Sequence, residues 1–381
     1  MPATSSRSGR VPPFHAMAMA RLAEERETGG ADVLHLEVGQ PSAGAPSAVC
    51  DAAVRALAES AIGYTNAPGL PALRRRIARH TGEWYGVDLD PARVLVVSGA
   101  SAGFTLAFLA AFDAGDRVGV VEPGYPCYRN ALEALGCVPV PISVGPETRW
   151  APTPELVAAA GPLRGLVLAS PSNPTGTVLD AVSLAALVGH CGEAGIRLVS
   201  DEIYHGIVYG DPARSALEHD DEVIVVNSFS KYFAMTGWRL GWVVAPPTLV
   251  EAFERLQQNL YICAPTLSQH AGIAAFDCAA ELDAHVQGYR ERRAILLDGL
   301  AAAGLTDTAA ADGAFYVYAD VSRLSDDSMV LCRRWLDEVG LATTPGVDFD
   351  LARGHRYVRF SYAGSTSTIV EACRRLAGWT P

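Results

Sequence analysis

Lysine is almost absent from this sequence: of its 30 basic residues, all are arginine except Lys231. Arginine serves as well as lysine on most solvated surfaces, so the scarcity alone is a habit of composition. The exception carries information. Arginine keeps its proton above about pH 12, whereas a lysine amine of pKa about 10.4 can be brought down by desolvation or nearby positive charge and then attack a carbonyl. Schiff-base chemistry is closed to arginine and open to Lys231.

Other absences narrow the function. The eight cysteines are scattered, with no CxxC pair, which fits reduced thiols in a cytosolic protein better than a disulfide framework, and no metal site is expected. Positive charge is not in excess: the net charge is -12 and the longest basic run, Arg74 to Arg76, falls on a helix-like segment. That balance argues against a nucleic-acid partner. The N-terminal segment lacks the apolar run of a signal peptide and reads as a loose tail leading into a helix. One uncharged stretch, residues 94–112, is long enough to cross a bilayer, but its β-branched start, small-residue break and apolar finish fit a buried strand, a turn and a helix. The expectation is a soluble, cytoplasmic protein with no membrane partner.

What is present is a large supply of core. At 381 residues and 49% hydrophobic, the chain has material for two domains, taking roughly 150 residues per domain. From about residue 90 to 245, the apolar runs "RVLVVS", "RVGVVEP", "GLVLAS", "IRLVSDE" and "EVIVVNS" alternate with helical stretches. Continuous hydrophobicity marks strands buried on both faces, as in a parallel sheet with crossover helices. A long amphipathic helix from about 281 to 303, the run "GAFYVYADV", a helix near 328 to 338, "YVRFSY" and a closing helix from about 366 suggest a smaller α+β domain. There are no internal repeats.

Polar residues gather where these strands end: Asn173 after one, Asp201 and Glu202 after another, Ser228, Ser230 and Lys231 after a third. Ligands bind at the carboxyl ends of strands in open parallel sheets, so the sequence lines one rim with an amide, carboxylates, hydroxyls and the lone lysine. Two chemistries compete for the segment "GASAG", residues 99–103. As a GxSxG elbow it would make Ser101 the nucleophile of an α/β-hydrolase with His355 as base, but no HGGG-like oxyanion segment accompanies it and Lys231 is left without a task. As a small-residue turn opening a helix it offers N–H groups and the positive helix end to a phosphate, with Ser228, Ser230 and Arg239 to complete the cradle. A phosphate beside a Schiff-base lysine points to pyridoxal 5'-phosphate (PLP). Asp201 then has a use, since a carboxylate paired with the pyridine nitrogen keeps it protonated.

At this point the chain resembles the PLP-dependent fold-type I aminotransferases of class I/II, the aspartate aminotransferase superfamily. The motifs that carry the resemblance are "VGQP" (38–41), "GYTNAPGLPALRRRIA" (63–78), "SGAS", "EPGYPCY", "PSNPTG" (171–176), "SDEIYHGIVY", "SFSKYFAMTGWRLGW" and "YVRFSYA", from about Phe14 to the C-terminus. The resemblance implies an α/β fold with a mostly parallel seven-stranded sheet between helices in a large PLP-binding domain at 46–280. An N-terminal arm at 1–45 and a C-terminal segment at 281–381 would form the smaller α+β domain.

It also implies roles. Lys231 would hold the cofactor and shuttle a proton as base and acid, Asp201 would pair with the ring nitrogen, Asn173 and Tyr204 would hydrogen-bond the ring 3'-oxygen, and Tyr125 would stack on the ring. Gly99, Ala100, Ser101, Ser228, Ser230 and Arg239 would take the phosphate. Tyr64 resembles the tyrosine that reaches the phosphate of a neighbouring subunit, which makes a homodimer necessary. Arg359, with Asn173 and the Gly39 N–H, would hold the substrate α-carboxylate. Many bacterial members carry a lysine where Ser101 stands, and many aspartate enzymes a tryptophan where Tyr125 stands. Both departures favour neutral or aromatic amino acids over aspartate as amino donor, with a 2-oxo acid such as 2-oxoglutarate or pyruvate as acceptor. A PLP-dependent lyase or decarboxylase on the same scaffold is the alternative, and a PLP-binding regulatory module a remoter one.

Overall fold

The computed structural model describes residue 5 and residues 8–380; the other residues of the expected N-terminal tail lie outside them. The chain opens with helix α1 (His15–Thr28), strand β1 (Leu34–His35) and helices α2 (Ser47–Glu59) and α3 (Pro71–Tyr85). There follow β2 (Val94–Val97), α4 (Ala100–Ala111), β3 (Arg117–Glu122), α5 (Pro126–Leu135), β4 (Val138–Ser143), α6 (Pro154–Ala159), β5 (Gly165–Ala169), α7 (Ala181–Ala194), β6 (Arg197–Asp201), β7 (Ile224–Ser228) and β8 (Gly241–Val244). Helices α8 (Val250–Leu260), α9 (Thr266–Ala275) and α10 (Ala279–Ala302) lead into β9 (Tyr316–Asp320), α11 (Ser328–Val339), β10 (Leu341–Ala342), β11 (Thr344–Pro345), β12 (Tyr357–Ser361) and α12 (Thr366–Gly378).

Local chemistry sets many of these boundaries. Asp180, Asp327 and Ser365 cap α7, α11 and α12 by accepting backbone N–H groups of the first turn. Gly86 and Gly136 close α3 and α5 in the left-handed conformation.

Seven strands form the main sheet in the order β2-β8-β7-β6-β5-β3-β4, and only β8 runs against its neighbours. Successive residues of one strand feed opposite cores. Val94 and Val96 pack into one apolar cluster and Leu95 and Val97 into the other, where α4 contributes Phe104 and Phe108. Each fully buried side chain of this size stabilises the fold by about 1.5–3 kcal/mol. Two strands of the sheet escape the sequence reading. β4 carries Pro139 and Pro141, which an edge strand tolerates because the missing N–H groups face away from β3. β8 is a short run starting at Gly241, a position where a Cβ would lie 2.8 Å from the Asn227 carbonyl oxygen.

A three-stranded antiparallel sheet, β11-β12-β9, and the parallel pair β1-β10 make up the rest, with α1 packed on β10 and β11 and α10 on α12 and β9. Among the described residues, no helix is long and apolar enough to cross a membrane. All eight cysteines are free thiols.

Candidate active site

Register explains why distant motifs meet. β2 and β7 both flank β8, so Val97 and Ser228 sit opposite the same residue, Gly241. The turn after β2 therefore lies beside the turn after β7. On the other side of β7, Asp201 at the end of β6 pairs with Ala169 at the end of β5, four residues before Asn173. A cavity of about 520 Å³ opens at this rim, and Lys231, Asp201, Asn173, Tyr125, Tyr204, Ala100, Ser101, Ser228, Ser230, Arg239, Gly39 and Arg359 all line it.

The Lys231 amine donates to the Gly39 carbonyl at 2.6 Å. Burial first, then the positive charges of Arg359 and Arg239, bring its pKa down to about 8, with Asp201 pulling the other way. The Asp201 carboxyl is buried and pushed up to about 6 by that burial, against hydrogen bonds donated by the Tyr128 hydroxyl and, at 3.1 Å, by the Ile203 N–H. At pH 7 the carboxyl is thus mostly ionised and the amine mostly protonated, each held nearer neutrality than the free group by burial.

A phosphate-sized anion has a cradle. Helix α4 begins at Ala100 with Gly99 before it and no side-chain cap, so its first N–H groups have no acceptor within the helix. Gly99 adopts φ +81°, and a Cβ there would sit 2.5 Å from a terminal nitrogen of Arg239, so only glycine lets the guanidinium approach. Arg239 is itself left-handed at φ +51°. The Ser228 hydroxyl accepts the Ser230 N–H at 3.0 Å. Gly99 stands behind this cradle and does not itself line the cavity.

Arg359, on β12, is 3% exposed. Its nitrogens donate to Asn173 Oδ1 at 3.0 Å, the Glu37 carbonyl at 2.5 Å and the Thr344 hydroxyl at 3.1 Å, while Nε is buried without a partner. Its guanidinium carbon lies 4.4 Å from the centre of the Tyr316 ring and 4.8 Å from that of Phe349. None of these partners is a carboxylate. The buried Asp348 carboxylate feels the Arg359 charge without pairing with it, so the guanidinium has room for a ligand carboxylate as direct partner.

Residues 31–376 match the family described as aminotransferase class I and II. The chain belongs to the class I and II aminotransferases. The aminotransferase is 49% identical to the valine–pyruvate aminotransferase of Mycobacterium tuberculosis, over 97% of each chain. Its fold matches the crystal structure of an aminotransferase from Mycobacterium tuberculosis with TM-score 0.97 and 48% identity, covering 100% of this chain and 99% of that one. It also matches the aspartate aminotransferase of Thermus thermophilus with maleate, at TM-score 0.93 and 32% identity, over 99% and 100% of the two chains. The enzyme transfers amino groups, and the hydrolase reading falls: Ser101 lines the cavity, but His355 is exposed and does not.

Tyr64 is the expected site residue that the aminotransferase's single chain leaves apart, 83% exposed between α2 and α3. Three functional groups escape the sequence reading. Tyr128, one turn along α5 from Tyr125, holds Asp201. Tyr316, within the run "GAFYVYADV", underlies Arg359 and hydrogen-bonds Tyr204 at 2.8 Å. The start of α1 brings Phe14, Ala16 and Met17 to the cavity wall. Tyr128 ends the motif "EPGYPCY" and Tyr316 lies in the run "GAFYVYADV", but neither segment marks what the side chain contacts.

Proposed function

We propose that this aminotransferase binds PLP on Lys231, takes the amine of a neutral apolar L-amino acid such as L-valine, and passes it to a 2-oxo acid such as pyruvate or 2-oxoglutarate. The observation that carries the reading is the buried Arg359, free of any carboxylate partner, in one cavity with a lysine of depressed pKa and an anion cradle. When bound, PLP supplies the carbonyl carbon that receives the amine and a ring that draws off the electrons of the Cα–H bond. The donor set fits it: a cradle at Ala100, Ser101, Ser228, Ser230 and Arg239, an acid at Asp201 for the ring nitrogen, Tyr125 for the ring face, and Asn173 and Tyr204 for the 3'-oxygen.

The chain's own residues do the rest. With a pKa of about 8, roughly a tenth of Lys231 is unprotonated at pH 7, enough to attack a carbonyl. Once released, the same amine takes the proton from the substrate Cα and would deliver it to the carbon that PLP contributes, so that Cα is left at the oxo-acid level. Arg359 with Asn173 and the Gly39 N–H fixes the α-carboxylate and so points the Cα hydrogen at that amine. The lining residues contain no cation besides Lys231, Arg239 and Arg359, while Phe14, Ala16, Met17 and Val38 form an apolar wall. That wall favours a hydrocarbon side chain over the second carboxylate of aspartate, as does the relative named for valine and pyruvate.

The reading includes a cytoplasmic homodimer, in which Tyr64 reaches the partner's phosphate site; the exposed apolar neighbours Val54, Leu57 and Ile62 support a covered face there. It also divides the chain at 46 and 281 into arm, large domain and C-terminal small-domain segment. Borohydride treatment of the PLP-loaded protein should bleach a visible band and leave a phosphopyridoxyl mass on the Lys231 peptide. No band, or a label elsewhere, sinks the assignment. Without an oxo acid, L-valine should react to one equivalent and stop, and more slowly with L-aspartate; continued turnover would indicate a lyase.

A further inference from the structure

Tyr316 is 1% exposed at the start of β9 and touches three separate parts of the site. Its ring lies 4.4 Å under the Arg359 guanidinium. Its hydroxyl is 2.8 Å from the hydroxyl of Tyr204. The same oxygen abuts Gly39, where a Cβ would come within 1.9 Å of it, and Gly39 is the residue whose carbonyl takes the Lys231 amine.

From these contacts we infer that Tyr316 is a positioning residue with two separable jobs: its ring fixes the carboxylate-binding arginine, and its hydroxyl tunes Tyr204 toward the cofactor. The inference rests on the proposed reading, in which Tyr204 donates to the ring 3'-oxygen. For Tyr204 to donate there, the hydroxyl pair must be ordered with Tyr316 donating to Tyr204. A hydroxyl that accepts a hydrogen bond is a stronger donor, so Tyr316 strengthens the bond from Tyr204. The ring acts independently. A guanidinium packed on a desolvated aromatic face is attracted to it and loses rotational freedom, so the fork stays in the plane that meets a carboxylate.

Two variants separate the jobs in the PLP-loaded enzyme. Tyr316→Phe keeps the ring and removes the hydroxyl. The weakened Tyr204 leaves the ring oxygen more basic, so the pH midpoint of the visible band should move up by about half a unit or more. Binding of 3-methylbutanoate, which has a carboxylate and no amine to react, should stay within about twofold, since this variant leaves the cation–π contact intact. Tyr316→Leu removes both, and its Kd for 3-methylbutanoate, read from the same band, should rise about five- to thirtyfold. Tyr316→Met, of similar length, repeats that measurement in case the branched side chain disturbs folding.

A midpoint unmoved in Tyr316→Phe overturns the hydroxyl role, and tight carboxylate binding in the Leu and Met variants overturns the ring role. Tyr204→Phe separates this from failure of the parent reading. If that change leaves the midpoint in place, or if wild-type protein shows no visible band, the assignment of Tyr204 or of the cofactor fails instead.

Discussion

The Lys231 amine donates to the Gly39 carbonyl at 2.6 Å, which ties the turn after β7 to the segment after β1. The contact favours the protonated amine, yet burial and two arginines outweigh it and bring the pKa to about 8.

Because Lys231 is the only lysine in the sequence, its N-acylation can be followed without interference from other lysines, and this value is directly measurable. Only the unprotonated amine reacts with an acylating reagent, so labelling of the cofactor-free protein should rise as pH increases through about 8. In urea the midpoint should return to about 10.4. Peptide mapping separates Lys231 from the terminal amine, and a folded-state midpoint near that of an ordinary lysine would contradict the buried, positively flanked environment.

Arg359→Lys should keep the charge and lose the fork. A point charge cannot donate two parallel hydrogen bonds to a carboxylate while also reaching Asn173 and Thr344. The expected result is a rise of about ten- to a hundredfold in KM for L-valine, equivalent to about 1.4–2.8 kcal/mol, with a smaller change in kcat. Steady-state kinetics against both substrates checks it, and an unchanged KM would remove Arg359 from carboxylate binding.

How much of this was legible in the sequence depends on the range of the contacts. Lys231, Asp201 and Asn173 are readable because each stands where a β-branched run stops, and the end of a buried strand is a local signal. β2, β3, β5, β6 and β7 are readable for the same reason. β4 is hidden by two prolines that only an edge position permits, and edge status is a property of the assembled sheet. The contacts of Tyr128 and Tyr316 are hidden more deeply, since their partners Asp201 and Tyr204 are 73 and 112 residues away, and even the motif that holds Tyr128 does not say what its hydroxyl meets. Arg359 is reached only through the motif "YVRFSYA", since a lone arginine on a strand would otherwise read as a surface ion pair; its burial without a direct ion-pair partner is a property of the folded chain.

Asp348 accepts the N–H groups of His15 and Ala16 at 2.8 and 2.7 Å, so both its oxygens hold the first turn of α1. That turn carries Phe14, Ala16 and Met17 to the cavity wall. Asp348→Asn leaves one acceptor for two donors and should free the turn at a cost of about 1–2 kcal/mol. The KM for L-valine should rise severalfold while that for L-alanine, whose methyl hardly reaches the wall, changes less. Equal effects on the two substrates would mean that α1 does not select the side chain.

Tyr128 donates to the buried Asp201 carboxylate, and that bond lowers a pKa which burial has raised to about 6. In the proposed reading Asp201 pairs, ionised, with the protonated pyridine nitrogen, so cofactor retention should fail as pH falls through the carboxyl's pKa. Tyr128→Phe removes a stabilising donor from the ionised form and moves that pKa upward. The acid limb of PLP binding should therefore shift toward neutral by about one to two units, since a hydrogen bond to a charged group is worth about 1.5–3 kcal/mol and each pKa unit is 1.36 kcal/mol. Once the pH exceeds both pKa values the carboxyl is ionised in both proteins and the difference in affinity should narrow. Titration of PLP into wild-type and Tyr128→Phe apoprotein between pH 5 and 8 decides the matter: superimposable acid limbs would show that Tyr128 only packs against Asp201 and does not set its charge.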